Sequence, residues 1–288
     1  MSAPTSHLTG VLLLIGSAVA WSTAGLFVRL IPLDAMSMIV WRGPVGALGV
    51  LAAIAWMERG RTWAMFTAMR GAAWAYAVLS GVDMLLYIAS LQMTTVAHVA
   101  FIYATVPFAA AVLGYLVLGE RPSRTALIAC ALAIAGVGFM VANPDAGATL
   151  AGDVLAVIVT IVTAGLMVIS RRFPGIAMLP AAAMSGIVAG LMALPLATHL
   201  PASAGQFALI SASALINMSL GFGLLAVGAR LLPAVETALI GTLEGPLAPF
   251  WVWLAFGETP GWRTLVGGGL VIVAVLGHLG LAARARAA

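Results

Sequence analysis

The chain has no lysine, a single cysteine and very little charge of either sign: nine acidic residues and thirteen basic ones, all arginine, among 288. Charged residues make up 8% of the sequence and hydrophobic ones 63%, against about 25% and 45–50% in a soluble domain. So few charges cannot cover a globular surface, which excludes an ordinary soluble fold. A mean hydropathy of +1.13 says the same. The one cysteine, Cys130, excludes an internal disulfide and a cysteine-based metal site. Lying in an apolar run, it reads as a small buried residue. Neither a GxxxxGK[ST] phosphate loop nor an HExxH metal motif is present, so no motor, cofactor or metal is expected.

What the chain has instead is a series of long apolar runs broken by Arg, Pro, Gly or Asp. A membrane helix needs roughly 20 mostly apolar residues. The runs place spans at 8–30, 35–57, 72–92, 95–117, 124–142, 150–169, 177–199, 207–228, 233–256 and 262–283. Run length and the lack of polar alternation favour helices over barrel strands. The first run is too long for a signal-peptide core and lacks a basic lead, so it reads as a span. The expectation is an all-α integral membrane protein with ten transmembrane helices. With the N-terminus in the cytoplasm, Arg59, Arg61, Arg70, Arg121, Arg124, Arg171, Arg172, Arg230, Arg284 and Arg286 lie inside. Only Arg29 and Arg263 lie outside, and Arg42 falls within the second span. This is the positive-inside bias. It accounts for a pI near 10 without nucleic acid as a partner, and it puts both termini in the cytoplasm.

The chain also repeats itself. Leu118-Gly119-Glu120-Arg121-Pro122 follows the fourth span and Phe256-Gly257-Glu258-Thr259-Pro260 the ninth. Aligning the two glutamates sets His98 against Glu236. Earlier in each half Thr9-Gly10 matches Ala151-Gly152, Arg29 matches Arg171, and Thr163 stands where Trp21 stands. Each half, 1–143 and 144–288, holds five spans. Five is odd, so the second copy enters the membrane upside down. Inverted repeats are a common transporter architecture, with the substrate held near mid-membrane between the halves.

At these residues the sequence resembles the drug/metabolite transporter superfamily in its ten-helix form with two EamA domains. The marks are Trp21-Ser22-Thr23-Ala24-Gly25, Trp41-Arg42, the stretch from Ala97 to Pro107, the Leu118-Gly119-Glu120 turn and Gly136-Val137-Gly138. The resemblance covers nearly the whole chain. It departs at Ser22, where the family usually has glycine, and at Pro246, one position out of register with Pro107. It implies secondary transport of small organic molecules in a bacterial inner membrane. It also implies a cavity lined by the first, third, fourth, sixth, eighth and ninth helices, with the fifth and tenth used for packing or dimer contact.

Ionisable groups inside a span are costly unless they face a cavity or a partner. Here they are Arg42, Asp83, His98, Glu236, Glu244 and His278. Asp83 and Tyr87 are four residues apart and share a helix face. They suit an amine or a transferable proton, or else Asp83 is a buried packing partner of an arginine or a backbone amide. His98 and Glu236, equivalent in the two repeats, are expected to meet across the pseudo-two-fold axis as a titratable pair or a structural hydrogen bond. Glu244 sits in Leu243-Glu244-Gly245-Pro246, where proline breaks the helix. It faces the cavity, or it partners Arg42 or a freed N–H. Arg42 reads as snorkelling or as one half of an ion pair, with a grip on a substrate carboxylate as the functional alternative. Trp21, Tyr87 and Tyr103 offer aromatic faces, and Asn217, Thr160 and Thr163 offer hydrogen bonds. The candidate substrate-binding set is therefore Trp21, Asp83, Tyr87, His98, Tyr103, Thr163, Asn217, Glu236 and Glu244, with Asp83, His98, Glu236 and Glu244 as proton-coupling candidates. Glu120 and Glu258 read as caps or tethers of helix ends, and His278 as structural. Gly267-Gly268-Gly269 with Gly277 and Gly280 gives the tenth helix a small-residue face for internal packing or a homodimer, so the chain is a monomer or pairs through that helix. Pro107, Pro195, Pro233, Pro246 and Pro249 are candidate hinges.

The expected function is secondary transport of an amino acid or related polar or amphipathic solute. Alternating access, export and H+ coupling complete that expectation. A receptor or assembly protein, and an intramembrane hydrolase using Ser80 and His98, are the alternatives from other classes.

Overall fold

The computed structural model describes residues 4–58, 62–142, 144, 146–175, 178–199, 203–232 and 234–287. Arg59, Arg61, Pro233 and the expected repeat boundary at Asn143 lie outside them. Every regular element among the described residues is helical. Among the described residues, nine stretches are long and apolar enough to cross a membrane. In chain order they are α1 (His7–Leu30), α2 (Ala35–Trp56), α3 (Gly71–Met93), α4 (Val96–Leu118), α5 (Arg124–Ala142), α6 (Leu150–Arg172), α7 (Leu179–Leu196), α8 (Ala204–Gly228) and, after the segment named next, α10 (Trp262–Leu281). Between α8 and α10 lies α9, residues 234–256, built of two helices, Ala234–Gly241 and Glu244–Phe256. The chain is a multi-pass membrane protein.

The repeated Gly-Glu turns have a common cause. Gly119 and Gly257 end α4 and α9 at φ of 72° and 68°, the left-handed cap that glycine adopts without a Cβ clash. The breaks inside these two helices also correspond. Helix stops at Tyr103 and resumes at Val106 in α4; it stops at Gly241 and resumes at Glu244 in α9. The register that aligns Glu120 with Glu258 aligns these breaks. In α4, Pro107 has no N–H to donate to the carbonyl of Tyr103 four residues back, and the Ile102 carbonyl beside the break accepts from the Thr105 amide at 3.0 Å and from the Thr105 and Thr160 hydroxyls at 2.6 and 3.4 Å. In α9, Pro246 stands in the first turn of the resumed helix, one position out of register with Pro107.

Helix contacts come in matched sets. α3 packs on α6 as α8 packs on α1, α4 on α6 as α9 on α1, and α7 on α3 as α2 on α8. Three contacts join equivalent helices to each other: α2 with α7, α5 with α10, and α4 with α9. Two of these are backbone-close. A Cβ on Gly43 would fall on the Gly186 carbonyl oxygen, and one on Gly186 would lie 2.5 Å from the Gly43 oxygen. Gly136 and Gly267 are reciprocal in the same way, at 2.6 and 2.5 Å. Gly267 and Gly268 are thus used inside the molecule, against α5 and Phe101, while Gly269, Gly277 and Gly280 meet nothing within 4 Å. Replacing Gly136 by valine is expected to lower the melting temperature of the purified protein, because overpacking costs about 1–3 kcal/mol and the obstructing atom is backbone. Gly138→Ala, where the added methyl group meets nothing within 4 Å, should leave it unchanged.

Where α1 turns into α2, Asp34 accepts hydrogen bonds from the Ser37 amide (3.0 Å), the Ser37 hydroxyl (2.5 Å) and the Thr198 hydroxyl (2.7 Å). Burial works against its charge, but these donors outweigh it and hold the carboxyl below its ordinary value of 3.8. The tie joins the start of α2 to the residues just after α7.

Candidate functional site

A belt of polar side chains crosses the middle of the bundle at the level of the helix breaks. Asp83, on α3, accepts a 2.9 Å hydrogen bond from Thr163 on α6. Tyr87, one turn further along α3, lies with its ring centroid 5.5 Å from that of Tyr103, the last residue before the break in α4. Tyr103 in turn lies beside Thr163 and within electrostatic reach of Asp83 and Glu244. Glu244 is the first residue after the break in α9. Tyr87 is within reach of Asp83, Glu244 and Arg42 together.

The opposite part of the belt is built around Arg42, which is 5% exposed. Its Nε donates to Ser213 Oγ at 3.2 Å and its Nη2 to Asn217 Oδ1 at 3.1 Å, both on α8. Asn217 lies in a wide turn of α8, Leu215–Leu220. There its amide nitrogen donates to the Ala20 carbonyl and to Thr23 Oγ1, at 2.5 and 3.0 Å. Trp21 Nε1 donates to the Asn217 carbonyl at 2.8 Å, and its ring meets Phe222 edge-on at 5.3 Å. The Trp251 Nε1 donates to Ser22 at 2.8 Å. The α1 interruption at Thr23 and the α8 wide turn therefore hold each other. Trp21–Asn217 joins α1 to α8 just as Thr163–Asp83 joins α6 to α3, so the repeat keeps the contact while changing its chemistry.

The belt holds one guanidinium and two carboxylates. Among the described residues none of the three is in an ion pair. Arg42 is satisfied by neutral oxygens instead. A cation so placed retains most of its attraction for an anion.

The sequence candidates separate at this point. Trp21, Asp83, Tyr87, Tyr103, Thr163, Asn217 and Glu244 fall in the belt. His98 and Glu236 do not meet. His98 is fully buried; its Nδ1 lies 3.0 Å from both oxygens of Asp153 on α6, and its Nε2 lies 2.9 Å from Thr264 on α10. Glu236 is half exposed and pairs with His7 at 2.8 Å. The correction has a geometric cause. A two-fold axis in the membrane plane exchanges the two faces, so equivalent residues meet only near mid-membrane. His98 and Glu236, each near a helix start, are carried to opposite faces. Glu120 and Glu258 tether helix ends across the repeats, to Arg171 at 3.2 Å and to Arg29 at 3.4 Å. His278 sits on α10 with its ring 6.0 Å from Phe108. Sequence reasoning missed Asp153, which lies in the sixth span but was not counted among the ionisable groups there, and only the packing of α6 on α4 brings it to His98. It also missed Ser213, which only the path of α8 past Arg42 brings into play.

The chain matches the EamA-like transporter family over residues 8–142 and 150–279, one match in each half. Its fold is similar to that of a solved crystal structure with 16% sequence identity and a TM-score of 0.68, over 97% of this chain and 99% of that one. No curated protein matches it in sequence.

Proposed function

From the premise that this chain belongs to the EamA-like transporter family, and is therefore a membrane transporter, we propose that it carries a small zwitterionic metabolite of the amino-acid class by alternating access. The face bearing both termini is cytoplasmic in this reading, the membrane is a bacterial inner membrane, and the direction is export in exchange for protons. The substrate carboxylate takes the Arg42 fork, its ammonium takes Asp83 and Glu244, and Tyr87 and Tyr103 lie between. What carries this reading is the state of the belt: a buried guanidinium and two carboxylates, beside the helix breaks and unpaired with one another among the described residues. Arg binds carboxylates in bidentate fashion, and a zwitterion supplies to each charge the partner it lacks.

An intramembrane hydrolase fits less well. Asp153, His98 and Thr264 have the hydrogen-bond order of an acid–base–nucleophile triad. Thr264, however, is 1% exposed, and the cavity it lines measures about 30 Å³, room for one water and not for an acyl substrate.

The test is a thermal-shift screen of the purified protein against amino acids, amines and nucleosides, followed by uptake into proteoliposomes. A ligand that binds the folded state raises apparent stability. Zwitterionic amino acids should raise it, and their decarboxylated amines should not; shifts with nucleosides alone would overturn the reading. The inverted topology makes its own prediction. Tags inserted after Arg121 and after Glu258 should report opposite sides of the membrane in a protease-protection assay, and both on one side would reject it.

A further inference from the structure

The four ion pairs among the described residues all join one repeat to the other, and they form two related sets. Two seams run through the bundle, α1 beside α9 and α4 beside α6. Each seam carries a His–carboxylate pair where its helices start and an Arg–Glu pair where they end. These pairs are His7–Glu236 and Arg29–Glu258 on the first seam, and His98–Asp153 and Arg171–Glu120 on the second. The seams point in opposite directions, so each face of the molecule receives one pair of each kind. The face bearing the termini holds His7–Glu236 and Arg171–Glu120. The far face holds His98–Asp153 and Arg29–Glu258.

The two faces are not in the same condition. On the far face the His98 and Asp153 side chains are 0% and 2% exposed, and those of Arg29 and Glu258 are 28% and 35% exposed. Thr94 links the pairs: it donates to Asp153 at 2.8 Å while its carbonyl accepts from Arg29 at 3.2 Å. A continuous line thus runs from Glu258 through Arg29, Thr94, Asp153 and His98 to Thr264. The cavity beside it, between α4, α9 and α10, measures only about 30 Å³. On the termini face the corresponding side chains are 49%, 42%, 50% and 55% exposed.

We propose that these two sets are the gates of the transport cycle, the far gate shut by the buried Asp153–His98–Thr264 line and the termini-face gate, its pairs made at 2.8 and 3.2 Å but open to water, the one ready to part. In the exchanged state His7–Glu236 and Arg171–Glu120 become buried and the far set becomes wet. The low dielectric that strengthens the contacts of a shut set is lost when water enters it, and burial of the other set offsets that loss. This inference rests on the alternating-access reading above, and its test needs no substrate.

The test uses the full chain in detergent, in a Cys130→Ala background with a reporter cysteine, Ala97→Cys, on the wall of the small far-face cavity. The readout is the rate of reaction with a charged, membrane-impermeant maleimide. The reporter should react slowly in the parent. Asp153→Asn should speed it by about tenfold or more, as the loss of one charge-assisted hydrogen bond shifts a two-state balance. Arg29→Gln, at the other end of the line, should act in the same direction and serves if Asp153→Asn fails to fold. Glu236→Gln weakens the opposite gate and should leave the reporter as slow or slower. Unchanged labelling in the far-face variants, or acceleration by Glu236→Gln as well, overturns the proposal. Accelerated labelling with no ligand found in the screen leaves the gate standing and rejects the substrate reading instead.

Discussion

Arg42→Gln is expected to weaken binding of the zwitterion by about 30- to 5,000-fold, the equivalent of the roughly 2–5 kcal/mol lost when one partner of a buried, hydrogen-bonded charge pair is truncated. The fold should survive, because Arg42 is held by Ser213 and Asn217 and not by an acid. Removing its charge leaves no buried carboxylate without its counter-ion, and glutamine still offers donors to the same two oxygens. Arg42→Lys keeps the charge but lacks the planar fork, so it should recover only part of the affinity. The measurement is ligand-induced thermal shift or calorimetric titration of purified variants, with the melting temperature of the ligand-free protein as the control. A large fall in that melting temperature with unchanged affinity in the surviving protein would make Arg42 a structural residue.

Much of the architecture could be read from the chain because the bilayer imposes it residue by residue. A span is a length of apolar sequence, and lengths such as those ending at Leu30, Leu118 and Ala142 stand out without knowledge of any neighbour. The inverted repeat could be read because its marks are local as well. Gly119 and Gly257 are fixed by the same cap, and a glutamate follows each. The belt was only half visible. Asp83 with Tyr87, and Glu244 before Pro246, are helix-face and helix-break arguments that need one element at a time. The partners of those residues need two, and the register between helices is a property of packing. Nothing in the sequence around Asp153 shows that α6 slides alongside α4 until its carboxylate meets His98. The same holds for His7, which lies ahead of the first apolar run and carried no mark of a tie to Glu236. The expected His98–Glu236 contact failed for a different reason. The equivalence was read correctly from the repeat, but symmetry equivalence implies proximity only for residues close to the axis.

Asp83→Asn and Glu244→Gln should each reduce proton-driven transport to the background of empty vesicles while leaving substrate exchange measurable. A carboxylate that binds the substrate ammonium on one side of the membrane must let it go on the other. A proton arriving at the same oxygens accomplishes this, since a neutral acid no longer attracts a cation, and the two ligands then compete for one site. Asparagine and glutamine imitate the protonated acid permanently. They remove the competition at one of the two acids, while the other carboxylate and the Arg42 fork remain to hold the substrate more weakly, and Thr163 Oγ1 still has an oxygen to donate to at position 83. Net flux against a substrate gradient needs the competition, whereas exchange of substrate for substrate needs only the passage of the loaded carrier. The two modes should therefore part in these variants. Glu236→Gln should not show this separation, because Glu236 lies at the face, half exposed and paired with His7, and is not one of the acids of the belt. The measurement is flux in proteoliposomes under an imposed pH gradient, set beside counterflow in the same vesicles without one. If all three variants keep full gradient-driven flux, the proton does not travel on these acids. If Glu236→Gln alone loses it, the coupling site lies at the gate and not in the belt.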